Sequence, residues 1–168
     1  MNIDLVVHPL RAEAGEIAAA LAAAARDRGF SVSASPDDAA RVEGVAPAAE
    51  AEIPDVVVAV GGDGTMLEAV RRATVAGAPI LGVNAGHVGF LSEVEPSRIG
   101  EALDALAAGR YTESRRMTLS ARVAGAEPAV AVNDAVIEKA VSQHVIRVAV
   151  WVGDERLIRY RADAVVVA

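Results

Sequence analysis

The sequence contains no cysteine, which excludes disulfide staples, thiolate metal centres and cysteine nucleophiles together and fits a reducing compartment. Aromatic residues make up only 3% of it, against 53% hydrophobic residues overall. A core must therefore be assembled from Ala, Val, Leu and Ile, and a stacking platform for single-stranded nucleic acid is disfavoured. Positive charge is scarce as well: 16 Lys and Arg face 23 Asp and Glu, for a formal net charge of −7. The basic residues are scattered apart from pairs such as Arg71-Arg72 and Arg115-Arg116, so nucleic acid is not an expected partner. The longest apolar runs, IAAALAAAA (17–25) and DVVVAV (55–60), fall well short of the ~20 residues of a membrane-spanning helix. The opening MNIDLVVHPL lacks the basic start and long apolar stretch of a secretory signal. A cytoplasmic protein without membrane contact is the expectation. His8, His87 and His144 lie too far apart in sequence to suggest a zinc site.

What is present, in 168 residues, is enough for one sizeable α/β domain or a modest domain and the start of a second. IDLVV (3–7) is a short β-branched run. The following RAEAGEIAAALAAAARDRGF carries Ile17 and Leu21 at helical spacing, with Gly29 where a C-terminal cap belongs. FSVSA (30–34) reads as a second strand, and residues 35–54 as mostly loop with a short helical turn. DVVVAV has the near-continuous apolar character of a strand covered on both faces. Met66, Val70 and Ala73 then mark a helix stopped by Gly77 and Pro79, and ILGV (80–83) is the next strand. That order is a βαβ unit with a parallel sheet, a Rossmann-like arrangement. Another helix follows in EPSRIGEALDALAAGR, with Ile99, Leu103 and Leu106 on one stripe and Gly109 at its end. From about residue 115 the pattern changes to short β-rich runs joined by AGAEP and VGDE turns. The expected organisation is an α/β nucleotide-binding domain over 1–114 and the incomplete beginning of an antiparallel β domain over 115–168.

Gly61-Gly62-Asp63-Gly64 follows the C-terminal end of a buried strand and opens a helix, the position where open α/β sheets bind ligands. Free first-turn N–H groups and the helix dipole favour an anion there. The loop is neither a P-loop, since Lys-Ser/Thr is missing, nor G-x-G-x-x-G, since Leu67 replaces the third glycine. Asp-Gly is also ordinary turn chemistry, and Thr65 with Glu68 fits a capping box. A carboxylate inside an anion site needs an offset. Either a metal ion bridges it to phosphate, or it faces a hydroxyl whose proton it accepts while phosphate lies on the neighbouring amides. Both point to phosphoryl transfer, with Gly61, Gly62 and Thr65 as the candidate phosphate loop. A secondary loop, LGVNAGHVGFL (81–91), supplies Asn84, Gly86, Gly89 and Phe90. Two such loops after adjacent parallel strands imply a shared crevice.

GGDGT (61–65), LGVNAGHVGFL and VNDAVIEKA (132–140), in that order and spacing, resemble the NAD kinase family. That resemblance spans essentially the whole chain, and it implies ATP- and Mg²⁺-dependent phosphorylation of the 2′-hydroxyl of NAD's adenosine ribose to give NADP. It makes Asp63 the general base and Gly64 a lining of the same pocket. Asn133 and Asp134 would hold the ribose and adenine end of NAD, and His144, Arg161 and Asp163 would contact the dinucleotide. Taken alone, Arg161 and Asp163 in YRADA read as an alternating strand with a surface ion pair. Mg²⁺ would arrive with ATP, so no dedicated protein metal cage is implied. GGDGT by itself is shared with lipid kinases and more loosely with sugar kinases, which is one alternative. Another is a catalytically incomplete fragment that binds NAD or a nucleotide without turnover, because the family's segment after the last strand is not in this sequence. The exposed β region suggests a homo-oligomer.

Overall fold

The computed structural model describes residues 1–49, 52–86 and 93–168. These fall into two compact units, Met1–Ser114 and Arg115–Ala168.

Five parallel strands form the sheet of the first unit: β1 (Asn2–Val7), β2 (Ser31–Ala34), β3 (Ala46–Pro47), β4 (Val56–Gly61) and β5 (Ile80–Asn84). Their spatial order is β3-β2-β1-β4-β5. From β1 the chain winds outward in one direction and from β4 in the other. The topological switch point therefore lies between β1 and β4, where such sheets open a crevice at their carboxyl ends.

Helices cover both faces. Alternate residues of β4 explain its uninterrupted apolar run: Val56, Val58 and Val60 join the cluster with Leu21 of α1 (Ala12–Asp27) and Leu103 of α4 (Ile99–Ala107). Val57 and Ala59 join the other cluster with Met66, Ala69 and Ala73 of α3 (Asp63–Ala76). Every residue of β4 is buried. The α4 stripe is the expected one, since Ile99, Leu103 and Leu106 are its buried residues.

The expected cap at Gly29 is present as a double hydrogen bond. Gly29 N–H donates to the Arg26 carbonyl at 2.8 Å, and Phe30 N–H donates to the Ala25 carbonyl at 3.1 Å. Gly29 has a φ of +77°, which a side chain would strain. The capping box, however, does not lie where the sequence suggests. Thr65 sits inside the first turn of α3, whose N-cap is Gly62 with no side-chain cap, and Glu68 turns to Arg71 and Arg72 instead. A side-chain cap forms at Ser35 instead, the N-cap of the four-residue α2 (Pro36–Ala39). Its hydroxyl accepts from Asp38 N–H at 3.2 Å and donates to Asp38 Oδ2 at 2.8 Å.

The second unit is antiparallel throughout. β6 (Leu119–Ala121) pairs with β7 (Ala129–Ala131), β8 (Ala135–Glu138) with β11 (Ala164–Val167), and β9 (Ile146–Val152) with β10 (Glu155–Ala162). Between β7 and β8 the chain breaks at Val132-Asn133-Asp134.

Candidate active site

Val60 of β4 is registered with Val7 of β1, and Gly61 with Asn84 of β5, so three chain crossings meet at the carboxyl edge of the sheet. Gly61, Gly62, Asp63, Gly64, Thr65, Asn84 and Gly86 are all brought to this edge. Gly89 and Phe90 lie outside the described residues.

The three glycines of the first loop differ in what fixes them. A Cβ on Gly61 would run into Thr65 Oγ1 and lie 2.7 Å from Thr65 Cβ, so Gly61 is required by the chain's own packing. Gly62 and Gly64 are not, because among the described residues a Cβ on either meets nothing within 4 Å. A glycine in a helical turn costs roughly 0.5–1 kcal/mol relative to alanine. Two open glycines flanking an exposed carboxylate leave the backbone approachable from outside.

Asp63 is the first residue of α3 and exposed. The helix's partial positive end favours a carboxylate there by roughly 0.3–1 kcal/mol, so its position is electrostatically stable and not the conflict that an isolated anion site would create. Behind it, Thr65 Oγ1 and Asn84 Oδ1 are buried with no hydrogen-bond partner among the described residues. Asn84 Nδ2 donates to Glu95 Oε1 at 3.2 Å. Buried polar atoms of this kind are uncommon away from functional sites.

Two features of this edge have no strong signal in the sequence. Arg11, in the loop after β1, donates from Nη1 to the Ala85 carbonyl at 2.6 Å, beside Gly86, whose φ is +115°. A Cβ at Gly86 would collide with that guanidinium and lie 3.4 Å from its Cζ. The second is an ionic network on α3. Arg72 contacts Asp38 Oδ2 at 2.5 Å, Asp4 Oδ1 at 3.5 Å and Glu68 Oε1 at 3.4 Å. Asp38 is only 4% exposed, and Arg41 reaches it at 3.3 Å. Burial holds the Asp4 carboxyl above its ordinary value, with Arg72 pulling the other way and Asp38 and Glu52 adding to the rise. Only the pairing of Arg72 with Glu68 at i,i+4 is visible in the sequence; the partners on β1 and α2 arrive through folding.

Between this network and the glycine loop lies a cleft of about 420 Å³, lined by His8 and Pro9 after β1, Ser35 and Arg41, and Gly64, Thr65 and Glu68 of α3. Its volume falls in the range of small-molecule pockets, and it sits at the switch point. Among the described residues no group of three His, Asp or Glu stands where it could hold a metal ion, and no helix is long and apolar enough to cross a membrane.

The remaining candidates lie in the second unit. Asn133 Nδ2 donates to Asp134 Oδ2 at 3.1 Å, just before β8. Asp163 pairs with Lys139, whose N–H also donates to the Asp163 carbonyl at 3.2 Å. The expected ion pair of Arg161 with Asp163 is thus replaced: Asp163 goes to Lys139, and Arg161 stands opposite Arg147 across the β9–β10 ladder. Because Ala164 is registered with Glu138 and Val167 with Ala135, Asp163 and the Asn133-Asp134 pair occupy opposite ends of the β8–β11 ladder. His144 is exposed in the turn before β9, where its N–H donates to the Val141 carbonyl at 3.2 Å.

The fold thus defines an α/β domain with a cleft at its topological switch point, followed by an antiparallel β unit. A family model described as the ATP-NAD kinase N-terminal domain matches residues 14–111. The chain belongs to the ATP-NAD kinase family. It is 42% identical over 118 residues to the NAD kinase of Symbiobacterium thermophilum, covering 68% of this chain and 42% of that protein. It is 42% identical over 115 residues to that of Moorella thermoacetica, covering 67% and 37%. Among solved structures, yeast NADH kinase complexed with NADH superposes with a TM-score of 0.77 at 20% identity, over 99% of this chain and 56% of that one. An NAD kinase from Archaeoglobus fulgidus in complex with ATP gives 0.71 at 22%, over 99% and 59%. The structural likeness carries the fold. The chain spans about two fifths of the length of these curated relatives.

Proposed function

We propose that this chain carries the catalytic carboxylate of an NAD kinase. In this reading Asp63 accepts the proton of the adenosine 2′-hydroxyl as that oxygen attacks the γ-phosphorus of MgATP. The bond from the γ-phosphorus to the bridging oxygen breaks, and ADP and NADP result. The open backbone at Gly62 and Gly64 admits the nucleotide to the N-terminal end of α3, where the helix dipole and the direction of the first-turn N–H groups favour phosphate. Asn133, Asp134, His144, Arg161 and Asp163 contribute to holding NAD. Mg²⁺ enters with the triphosphate as part of the substrate, so Asp63 need not belong to a protein metal cage.

The observation that carries this reading is the exposed carboxylate at the first position of α3, between two glycines where an added Cβ would meet none of the described residues. The direct experiment is incubation of this chain with NAD, ATP and Mg²⁺, following NADP with an NADP-specific dehydrogenase, beside Asp63→Asn. Turnover that falls by at least about 10²-fold in the variant supports a proton-accepting role, and equal turnover in both chains rejects it. A second reading, binding of NAD without turnover, is favoured by one observation: no described residue of the second unit is buried. NAD binding by calorimetry with no NADP formed selects it.

A further inference from the structure

The β9–β10 hairpin is two-faced. Opposed residues of an antiparallel pair project to the same side, so the pairs of Ile146 with Ala162, Val148 with Tyr160 and Val150 with Ile158 make one apolar face. The other face carries Arg147 opposite Arg161, Ala149 opposite Arg159, and Trp151 opposite Arg156, with the irregularity in register falling just after Arg156. No acidic residue stands on that second face. Like charges directly opposed weaken a sheet, yet Arg147 and Arg161 face one another. Among the described residues neither they nor Arg159 is paired with a carboxylate. This happens in a chain whose formal net charge is −7. Solvation alone would be served as well by a face of mixed sign. Trp151 is 57% exposed on the same face, with the Arg156 guanidinium 6.0 Å from its ring centroid.

Guanidinium groups take phosphate oxygens in paired, charge-assisted hydrogen bonds, and an exposed indole offers a stacking surface to a planar base. A ligand that uses both has an aromatic ring joined to several phosphates. We propose that this face is a binding site for a nucleoside polyphosphate, with the base on Trp151 and the phosphates on Arg147, Arg159 and Arg161. It deepens the reading above, in which Arg161 contacts the dinucleotide, and rests on it for the class of ligand. It does not involve the proton transfer at Asp63.

Trp151 is the single tryptophan, so its fluorescence reports on this face directly. In a titration of the whole chain without metal, ATP quenches the emission saturably, adenosine at the same concentrations does not, and inorganic tripolyphosphate reverses the quench by competition. Arg147→Gln and Arg159→Gln, both at exposed positions, each raise the ATP midpoint by about tenfold, as expected for one lost charge-assisted contact. Unchanged far-UV circular dichroism shows that both variants fold. A quench retained in Asp63→Asn while turnover is lost assigns the failure to the glycine loop and leaves the hairpin site standing. The inference is overturned if ATP leaves the emission unchanged, if adenosine quenches equally, or if both arginine variants keep the wild-type midpoint. A poly-glutamate peptide that quenches where ATP does not would also overturn it, by assigning the face to an acidic protein.

Discussion

The two units solve the burial problem differently. In Met1–Ser114 a parallel sheet is sealed by helices on both sides, and its largest fully buried side chains include Ile3, Leu5, Leu21 and Leu103. In Arg115–Ala168 the strands are as rich in valine and isoleucine, yet Val130, Val136, Ile137, Val152, Leu157 and Val166 are all more than half exposed. Charge divides in the same way. The first unit holds eight basic against seventeen acidic residues, the second eight against six. Apolar composition alone therefore does not make a core. A strand buries its apolar face only where a second layer covers it, and in the first unit that layer is local in sequence, with α1 after β1, α3 after β4 and α4 after β5.

This contrast is sharpest under truncation of single side chains. Leu5→Ala is expected to destabilise the first unit by about 4 kcal/mol, whereas Val148→Ala costs the second unit less than about 1 kcal/mol. Guanidinium unfolding followed by circular dichroism, beside Trp151 fluorescence for the second unit, reads both. Two separate transitions, with fluorescence changing first, are expected. A single shared transition would show that the two units unfold as one cooperative body.

Next in size is Arg72→Ala. It removes the cation shared by Asp4, Asp38 and Glu68 and leaves Asp38 buried with less compensation, for a loss of about 3 kcal/mol by thermal or denaturant unfolding. A loss below about 1 kcal/mol would show the network to be solvated like a surface pair. Acid titration gives a smaller effect of definite sign. Burial raises the Asp4 pKa in the folded state. The stability that Asp4 contributes is thus fully present below its unfolded value and lost as pH rises through the raised folded value. Above the ordinary aspartate value of about 3.9, Asp4→Asn flattens that part of the stability profile. In Arg72→Ala the fall moves to higher pH, because the cation that opposes burial is gone. A profile unchanged by either variant would place the slope elsewhere.

The smallest effect carries the opposite sign. Gly64→Ala, in open space within a helix, is expected to stabilise the first unit by roughly 0.5–1 kcal/mol and to weaken nucleotide binding. Gain of stability with undiminished binding would remove the argument that Gly64 stays glycine for a ligand.

Much of the first unit was legible because its signals are local. Helical spacing marked Ile99, Leu103 and Leu106, and Gly29 announced its own cap. The uninterrupted apolar run of β4 stated that it is covered on both faces. The glycine loop was equally legible, since a strand, a turn and a helix in thirty residues fix where an exposed carboxylate stands. Local reading failed at Thr65-x-x-Glu68, which spells a capping box, because α3 starts two residues before Thr65 and its N-cap is Gly62. It failed again at YRADA, where adjacency in sequence suggested Arg161 with Asp163.

From the sequence come most elements of the first unit, the strand-turn-helix that carries Asp63, and the family resemblance of its spaced motifs; the two-residue β3 (Ala46–Pro47), inside a stretch that reads as loop, becomes a strand only by pairing with β2. Tertiary structure alone decided which strands are neighbours, and with that the switch point between β1 and β4. It also decided that Arg11 reaches Ala85, that Arg72 gathers carboxylates from β1 and α2, and that Arg147 faces Arg161. The physical reason is common to all of these. Hydrogen-bond ladders and ion pairs join groups tens of residues apart, and short-range periodicity carries no information about which distant partner a strand edge or a guanidinium will meet.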